Sequence, residues 1–591
     1  MGSIPYEGGT TFRVWAPHAR AVGVAGSFNG WSAGDSPLAS DGDSGYWSAD
    51  VAGAGDGDEY RFVIGSDDVE RWRNDPYARE VTSSAGNAIV SDGLFDWGTA
   101  AYESPRWGEL VIYELHVGTF NDVPGGGPGS FHAVANRLEY LHDLGVNAIE
   151  LMPSAEFATD FSWGYNPSCI FAIESAYGGP DALKELVRRA HEMGMAVFFD
   201  VVYNHFGPSD LDLWQFDGWS ERGKGGVYFY NDGRSQTPWG DTRPDYGREE
   251  VRHFIADNAR MWLEEFRMDG LRWDATAWIR NVYGNIGDPF NDLPDGWRLM
   301  QQITGDTDDR QPWKLHIAED LRDDPAITSP VAEGGAGFDA QWDGAFVHPV
   351  RGVLIPWSDG GRNMWALRDA IARGDGVAAE RRVIYTESHD EVANGKARVP
   401  EDISPGDAGS LWARKRSTVG AAIVFTSPGI PMIFQGQEIL EDQWFRDEDP
   451  IDWTKLETFA GIHAMYRDLI RLRRNWFDTT RGLRGSHVHV HHVNDDDNVI
   501  AYHRWAEGGP RDDVVVVVNL ANRPYGSYRI GLPRSGRWTL RFNSDWTGYG
   551  ADFDGHPSFD ALADGGPQDD MAWSGCVDIG RYAALIFSQD S

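Results

Sequence analysis

The stretch AVFFDVVYNH, residues 196–205, decides the fold. Its first half, Ala196 to Phe199, is apolar without alternation, the pattern of a strand covered on both faces. Its second half, Asp200 to His205, brings acid, amide and imidazole groups to the C-terminal end of that strand. Parallel strands of α/β proteins carry this pattern, because helices cover their faces and ligands meet their C-terminal ends. On either side lie amphipathic helical segments, ALKELVRRAHEMG from Ala182 and EEVRHFIADNARMWLEEF from Glu249.

Worked outward, the same unit repeats. Further apolar strands are expected at Leu110–Leu115, Ala148–Met152, Gly270–Trp273, Lys314–Ala318, Phe338–Trp342, Val383–Thr386 and Met432–Gln435. With Ala196–Val201 these make eight alternations between Trp107 and Trp476, which fits an α/β fold of the (β/α)8 TIM barrel type, ~250 residues enlarged by loop insertions. A doubly wound open sheet is the alternative, but no Gly-x-Gly-x-x-Gly turn follows the first strand. Gly207 to Asp245, rich in Gly, Asp, Trp and Tyr, is a long excursion of the kind that forms a lid or subdomain.

The flanks read differently. TFRVWAP, AVGVAG, YWSADV and EYRFVIG, between Thr11 and Val90, are short strands separated by turn residues and predict a small β-sandwich. After Arg484 the runs YHRW, DDVVVVVNL and RWTLRF predict a second antiparallel sandwich. The expected organisation is a β-sandwich over 1–98, a barrel over 99–480 with a loop subdomain near 206–250, and a C-terminal sandwich over 481–591. Trp15, Trp31 and Trp47 can stack on sugar rings or fill core and turn positions, and burial is the commoner fate of a lone Trp.

Composition bounds the function. Against 52 basic residues stand 91 acidic ones, a formal charge of −39, which repels phosphate backbones and anionic lipid and so disfavours nucleic acid or membrane as partners. Hydrophobic residues reach 41% and charged residues only 24%, so the chain is foldable and its acid belongs on the surface. Of the basic residues six are Lys and 46 Arg, which suits either a salt-rich cytoplasm or high-GC codon bias. The two cysteines, Cys169 and Cys576, are too few for a disulfide framework. The segment MGSIPYEGG has neither a basic nor an apolar leader region, and no run of about 18 apolar residues occurs, so a soluble, cytoplasmic protein is expected.

Chemistry gathers after the strands. Strand three ends in Asp200-Val-Val-Tyr-Asn204-His205, strand four in Gly270-Leu-Arg272-Trp-Asp274-Ala-Thr, strand five in Ile317-Ala-Glu319-Asp320 and strand seven in Ser388-His389-Asp390-Glu391. Any one of these acids can simply cap the next helix; four such motifs in register argue for one site. Arg272 and Asp274 stand two apart on one strand and share a face, so the guanidinium favours an ionised, nucleophilic Asp274. Glu319, with Asp320 beside it and Asp274 across the mouth, is the better acid. Such a pair is what retaining glycoside chemistry uses, the carboxyls lying ~5–5.5 Å apart.

These four motifs resemble those of the α-amylase superfamily, glycoside hydrolase family 13. The resemblance implies that Asp274 is the nucleophile, Glu319 the general acid/base and Asp390 the third carboxylate, which binds and distorts the substrate sugar. It implies substrate-binding roles for His205, Arg272 and His389 around the reacting ring, with Tyr165 of Trp163-Gly-Tyr-Asn166 stacking under it. Trp163, Asp200, Asn204 and Glu391 complete the substrate-binding set. Phe28-Asn29-Gly30-Trp31 resembles the carbohydrate-binding-like module that precedes the barrel in branching and debranching enzymes. No cofactor is required. Asn204 matches a position that ligates calcium in many amylases, but the remaining hard oxygen ligands are not identifiable, so no metal residue is assigned.

Within the superfamily two activities are expected. Ser388-His389-Asp390-Glu391-Val392 with Gly395-Lys396, and Phe434-Gln-Gly-Gln-Glu438 with Trp444, resemble glycogen-branching enzymes, transglycosylases that cleave α-1,4 and form α-1,6 links in a neutral α-glucan or maltooligosaccharide. Glu391 then either orients the acceptor or sits in a salt bridge to Arg or Lys. Tyr113-Glu-Leu-His116-Val-Gly-Thr-Phe120, Asp200-Val-Val-Tyr-Asn-His205 and Ala318-Glu319-Asp320-Leu-Arg322 read like maltooligosyltrehalose trehalohydrolases, so a hydrolase of that type or an amylase is the alternative. A non-catalytic glucan-binding protein is a distant third, since all three carboxylate positions are filled. Trp273 departs from the pattern, standing where a small aliphatic residue is common, and predicts a reshaped wall behind the nucleophile. Outside the motifs, His487-Val-His489-Val-His491 is expected to be an exposed strand face before it is a metal site, and Asp495–Asp497 a solvated turn. Trp239, Tyr228 and Tyr230 either stack on glucan rings or pack their own loop.

Overall fold

The computed structural model describes residues 1–67 and 69–591. Turn residues cut the N-terminal region into β1 (Gly2–Tyr6), β2 (Gly9–Trp15), β3 (Ala21–Gly26), β4 (Ala39–Ser40), β5 (Tyr46–Ala52), β6 (Glu59–Ser66), β7 (Val69–Arg73) and β8 (Ala88–Ile89). They form two antiparallel sheets, β1-β2-β5-β4 and β3-β6-β7 with β8 on β6. Alternation along β2 buries Phe12 and Val14, and Phe12 meets Tyr60 edge-on at 4.9 Å. Trp15 is buried and Trp47 half-buried with its indole N–H on the Ala16 carbonyl, whereas Trp31 is partly exposed beside Trp72.

The barrel strands are β9 (Ile112–Leu115), β10 (Ala148–Leu151), β13 (Ala196–Val201), β14 (Gly270–Trp273), β15 (Leu315–Ala318), β16 (Ala340–Trp342), β17 (Arg382–Ile384) and β18 (Ile430–Phe434). Between β10 and β13 lie β11 (Ala155–Phe157) and β12 (Pro167–Ile173), a two-stranded sheet of their own. The eight close a barrel in the order β10-β13-β14-β15-β16-β17-β18-β9. Every expected strand is present, some shortened by one or two residues: Val383–Thr386 is realised as Arg382–Ile384, because the polar motif that follows leaves the ladder early. Parallel register sets Asp200 opposite Arg272 and Arg272 opposite Ile317, so these positions share a face.

The long excursion after β13 is anchored by the N-terminal sandwich. Arg73 donates to the carbonyls of Phe216 (3.0 Å) and Gln215 (2.9 Å), Asn74 N–H to Asp212 (2.7 Å), and His18 pairs with Asp217 (2.9 Å). Tyr228 and Tyr230 are buried within the excursion, so they pack the loop and are not free to stack on a ligand, whereas Trp239 is 42% exposed.

After the barrel come β19 (His487–Asn494), β20 (Val499–Trp505), β21 (Val514–Asn519), β22 (Tyr525–Leu532), β23 (Gly536–Asn543), β24 (Ala561–Ala563), β25 (Trp573–Ile579) and β26 (Ala583–Ser588). Six form a sheet in the order β19-β20-β21-β26-β23-β24, and β22 pairs with β25. The valine run of β21 is buried throughout, against Ile530, Trp538 and Phe587 among others. Asp495 to Asp497 do form a turn, and they cap rather than float: Asp495 accepts from Met364 N–H, and Asp497 from Tyr525 and Arg523.

The chain divides into two compact units. One comprises Met1–Glu103, His116–Leu138 and Glu150–Phe338, the other Ser104–Leu115, Glu139–Ile149 and Asp339–Ser591. The N-terminal sandwich thus clusters with β13 to β15 and the C-terminal sheets with β16 to β18. No helix among the described residues is long and apolar enough to cross a membrane.

Candidate active site

In the first unit the ends of β13, β14 and β15 bring their polar residues together around one guanidinium. Arg272, with no exposed side-chain surface, meets Asp200 at 2.6 Å, Glu319 at 2.9 Å and Asp274 at 3.4 Å. Burial opposes its charge, but Asp200, Tyr165, Glu319 and Asp274 outweigh that penalty and push its pKa well above the ordinary value. Tyr165 donates its hydroxyl to Asp200 (2.6 Å) and lies under the guanidinium at 5.8 Å. Gly164 places that ring: its φ is +92°, and a Cβ there would meet the Pro153 carbonyl oxygen at 1.9 Å. Trp163, on the other side of Gly164, is half-buried.

Asn204 and His205 extend the cluster. Asn204 Nδ2 donates to Asp274 (2.8 Å), while its Oδ1 faces His205 Nδ1 at 2.9 Å. Burial holds the His205 pKa down, to about 4, so the ring is neutral, and Trp239 stacks on it at 4.8 Å. Both ends of the Asn204 amide are thus engaged within the site. Among the described residues no group of three His, Cys, Asp or Glu is arranged to hold a metal ion.

One expectation about the carboxylates is met and one needs correction. Arg272 pairs with Asp274 at 3.4 Å, and its fork also reaches the neighbouring strand end, where Glu319 lies closer at 2.9 Å. Asp320 does not act on Glu319 as a free anion. It is tied to Arg280 (2.6 Å) and accepts from Thr276 (3.1 Å). One further feature was missed. Ala275, directly after Asp274, has φ +42°, a left-handed conformation that costs ~1–2 kcal/mol outside glycine, and its N–H donates to Glu319 Oε2 at 2.8 Å. No residue type signalled it. Trp273 points away from the Arg272 face and packs between Tyr203 (5.0 Å) and Phe338 (5.3 Å), so the bulk it adds fills the layer behind the strand.

The second unit supplies its own polar group after β17. His389 Nδ1 pairs with Glu114 at 2.5 Å, and its backbone N–H donates to the same carboxylate (3.2 Å). Its Nε2 lies 3.6 Å from Asp390, whose side chain is 43% exposed. Glu114 is the second missed residue. A carboxylate inside the apolar strand Ile112–Leu115, 1% exposed, was the available signal. Glu391 is paired with Lys396 at 2.9 Å, which matches the salt-bridge reading of that residue. Glu438 accepts from the hydroxyls of Tyr113 (2.9 Å) and Tyr140 (2.6 Å), and Trp444 is exposed. On β19 a register shift between Val490 and His492 breaks the imidazole row; His487 pairs with Asp375 and His492 with Asp569.

The chain resembles known proteins over most of its length. Residues 114–215 match the α-amylase catalytic domain, residues 1–78 the carbohydrate-binding module 48 (isoamylase N-terminal domain) and residues 489–590 the α-amylase C-terminal all-β domain. A 1,4-α-glucan branching enzyme GlgB of Corynebacterium jeikeium is 30% identical over 572 residues, 92% of this chain and 77% of the relative. The chain belongs to the α-amylase family. Branching enzymes of Marinobacter nauticus (30% identity, 93% and 89% of the two chains) and Rhodospirillum rubrum (32%, 92% and 75%) are similar in extent. Among solved structures, a putative α-amylase from Salmonella typhimurium superposes with a TM-score of 0.74 at 21% identity, covering 100% and 99% of the two chains. A pullulanase complexed with maltotetraose from Anoxybacillus sp. LM18-11 gives 0.75 at 20% identity, covering 100% and 87%. These two show the α-amylase-family fold. As a member of the family the chain is a glycoside hydrolase or glycosyltransferase that acts on α-glucans.

Proposed function

We propose that this enzyme is a retaining 1,4-α-glucan branching transglycosylase. The observation that carries the reading is the Arg272 cluster, in which two carboxylates from adjacent strand ends, Asp274 and Glu319, are held within 3.4 Å of one cation. Glu319 protonates the glycosidic oxygen as the α-1,4 bond breaks, and Asp274 attacks the anomeric carbon, giving a covalent glycosyl ester and a released chain end. A sugar 6-hydroxyl then attacks that carbon, gives its proton to Glu319 and frees Asp274, leaving an α-1,6 link. Asn204 Nδ2, on the nucleophile's other oxygen, keeps one lobe of Asp274 occupied and directs the second toward the substrate. Asp390, more exposed than the other two acids, is suited to accept from sugar hydroxyls, with His389 oriented by Glu114. The residues require no cofactor for these steps.

Branching is preferred over hydrolysis because branching enzymes resemble the chain along nine-tenths of its length, and because the run Ser388–Val392 with Gly395-Lys396 resembles the branching-enzyme pattern. The hydrolase reading rests on the Tyr113–Phe120, Asp200–His205 and Ala318–Arg322 motifs. Amylose as sole substrate decides between them, with reducing ends and α-1,6 anomeric protons measured together. Branching gives α-1,6 links with few new reducing ends; reducing ends without α-1,6 links would sink it in favour of water as acceptor.

A further inference from the structure

Behind the strands that present Asn204, Asp274 and Glu319 lies a buried group in which Tyr203, Trp273 and His316 each come from one of those strands or its end. Trp273 packs on Tyr203 at 5.0 Å, and Phe338 closes the group against Trp273 (5.3 Å) and His316 (6.3 Å). Tyr203 precedes Asn204, Trp273 precedes Asp274, and His316 stands three residues before Glu319. In the β14–β15 register Leu271 opposes His316 and Trp273 opposes Ala318, so Trp273 and His316 are diagonal neighbours on one face.

The hydrogen bonds through this face run in one direction. The Trp273 indole N–H donates to His316 Nδ1 at 3.1 Å. Indole nitrogen is a donor only, so Nδ1 is the unprotonated nitrogen and Nε2 carries the ring proton. Nε2 lies 2.9 Å from Thr307 Oγ1, and Thr307 donates its own hydroxyl to the Ile303 carbonyl at 2.9 Å. Trp273 and His316 are at most 1% exposed. Burial drives the His316 pKa down, to about 3, so the neutral tautomer this relay needs persists at any pH at which the enzyme would work. Thr307 belongs to the helix Pro294–Arg310, which connects β14 to β15, so one imidazole bonds the first of the two strands to the helix between them.

We propose that Trp273 and His316 are positioning residues: the Trp273–His316–Thr307 relay is a clamp that sets Asp274 against Glu319. On the front face the same two strand ends are joined by Glu319 N–H to the Trp273 carbonyl (3.0 Å) and Ala275 N–H to the Glu319 carboxylate (2.8 Å). The clamp supplies the matching restraint on the rear face, so that neither strand end can slide. A shift of ~1 Å in such a pair costs up to ~10²-fold in rate. This inference rests on the reading of Asp274 and Glu319 as the reacting carboxylates.

Trp273→Phe tests it, since it removes the indole donor and keeps an aromatic ring. The clamp predicts a 10- to 100-fold fall in kcat on amylose, KM within twofold of wild type, and a melting temperature lowered by only a few degrees. A second variant, Trp273→Phe with His316→Leu, removes the imidazole left without its donor. It should recover the melting temperature while kcat stays low. Unchanged kcat in the single variant, or recovery of kcat together with stability in the double, would overturn the clamp. Wild-type enzyme lacking Asp274-dependent turnover of amylose would instead defeat the functional reading on which it rests.

Discussion

Arg272 is the residue on which the first unit's site turns, because three carboxylates and a tyrosine hydroxyl share its two terminal nitrogens. A planar fork can serve several oxygens at once; an ammonium cannot. Arg272→Lys should therefore lower kcat at least ~10²-fold with the fold intact, and Arg272→Leu, which strands buried anions, should also cost ~3–5 kcal/mol of stability in denaturant titration. Asp274→Asn keeps an acceptor for Asn204 but removes the nucleophile, so turnover of amylose should fall more than ~10³-fold while the melting temperature holds. Substantial residual activity would reassign the nucleophile. Glu114→Gln is the corresponding test in the second unit: with the Glu114 carboxylate gone, His389 should lose orientation and kcat ~10- to 100-fold, with KM rising as sugar hydroxyls lose a partner.

At the scale of elements, the barrel was legible because parallel strands buried on both faces are apolar runs, as in Ala196–Phe199, and because four acid-bearing motifs follow such runs in register. The motif residues around Arg272 were legible for the same reason. What was not legible depended on backbone conformation or on contacts distant in sequence. Ala275 adopts a glycine-like φ with no glycine to announce it, and the target of Asp320 is an arginine 40 residues away. The sheet of β11 and β12 hides a further pair. Glu156 and Glu174, 2% and 1% exposed, are raised by burial to about 7 and about 8. Their folded pKa values lie above the unfolded value near 4.5, so the stability they confer is full below pH 4.5 and is lost as pH rises toward 8. Glu156→Gln should raise the melting temperature by several degrees at pH 8 and leave it unchanged at pH 4.5; an equal shift at both would contradict the burial account.

At the scale of the molecule, a charge of −39 fits a neutral polysaccharide substrate and works against the compact state through self-repulsion. Raising KCl from 0.1 to 1 M shortens the screening length from ~10 to ~3 Å, so the melting temperature should climb by several degrees if the acidic surface is tuned to salt. A flat response would favour codon bias as the source of the lysine scarcity. Both sandwiches are tied to barrel segments of their own unit by buried or half-buried charge, Arg73 on the Gly207–Asp245 excursion and Lys415 between Asp545 and Asp554. The proposed reaction passes through a glycosyl ester at Asp274. The Glu319→Gln enzyme given α-maltotriosyl fluoride tests this most directly, since fluoride leaves without acid assistance and the variant lacks the base that releases the ester. Peptide mass mapping should find one maltotriosyl group on the peptide containing Asp274. An adduct on another residue, or none while the fluoride is consumed with inversion, would contradict it.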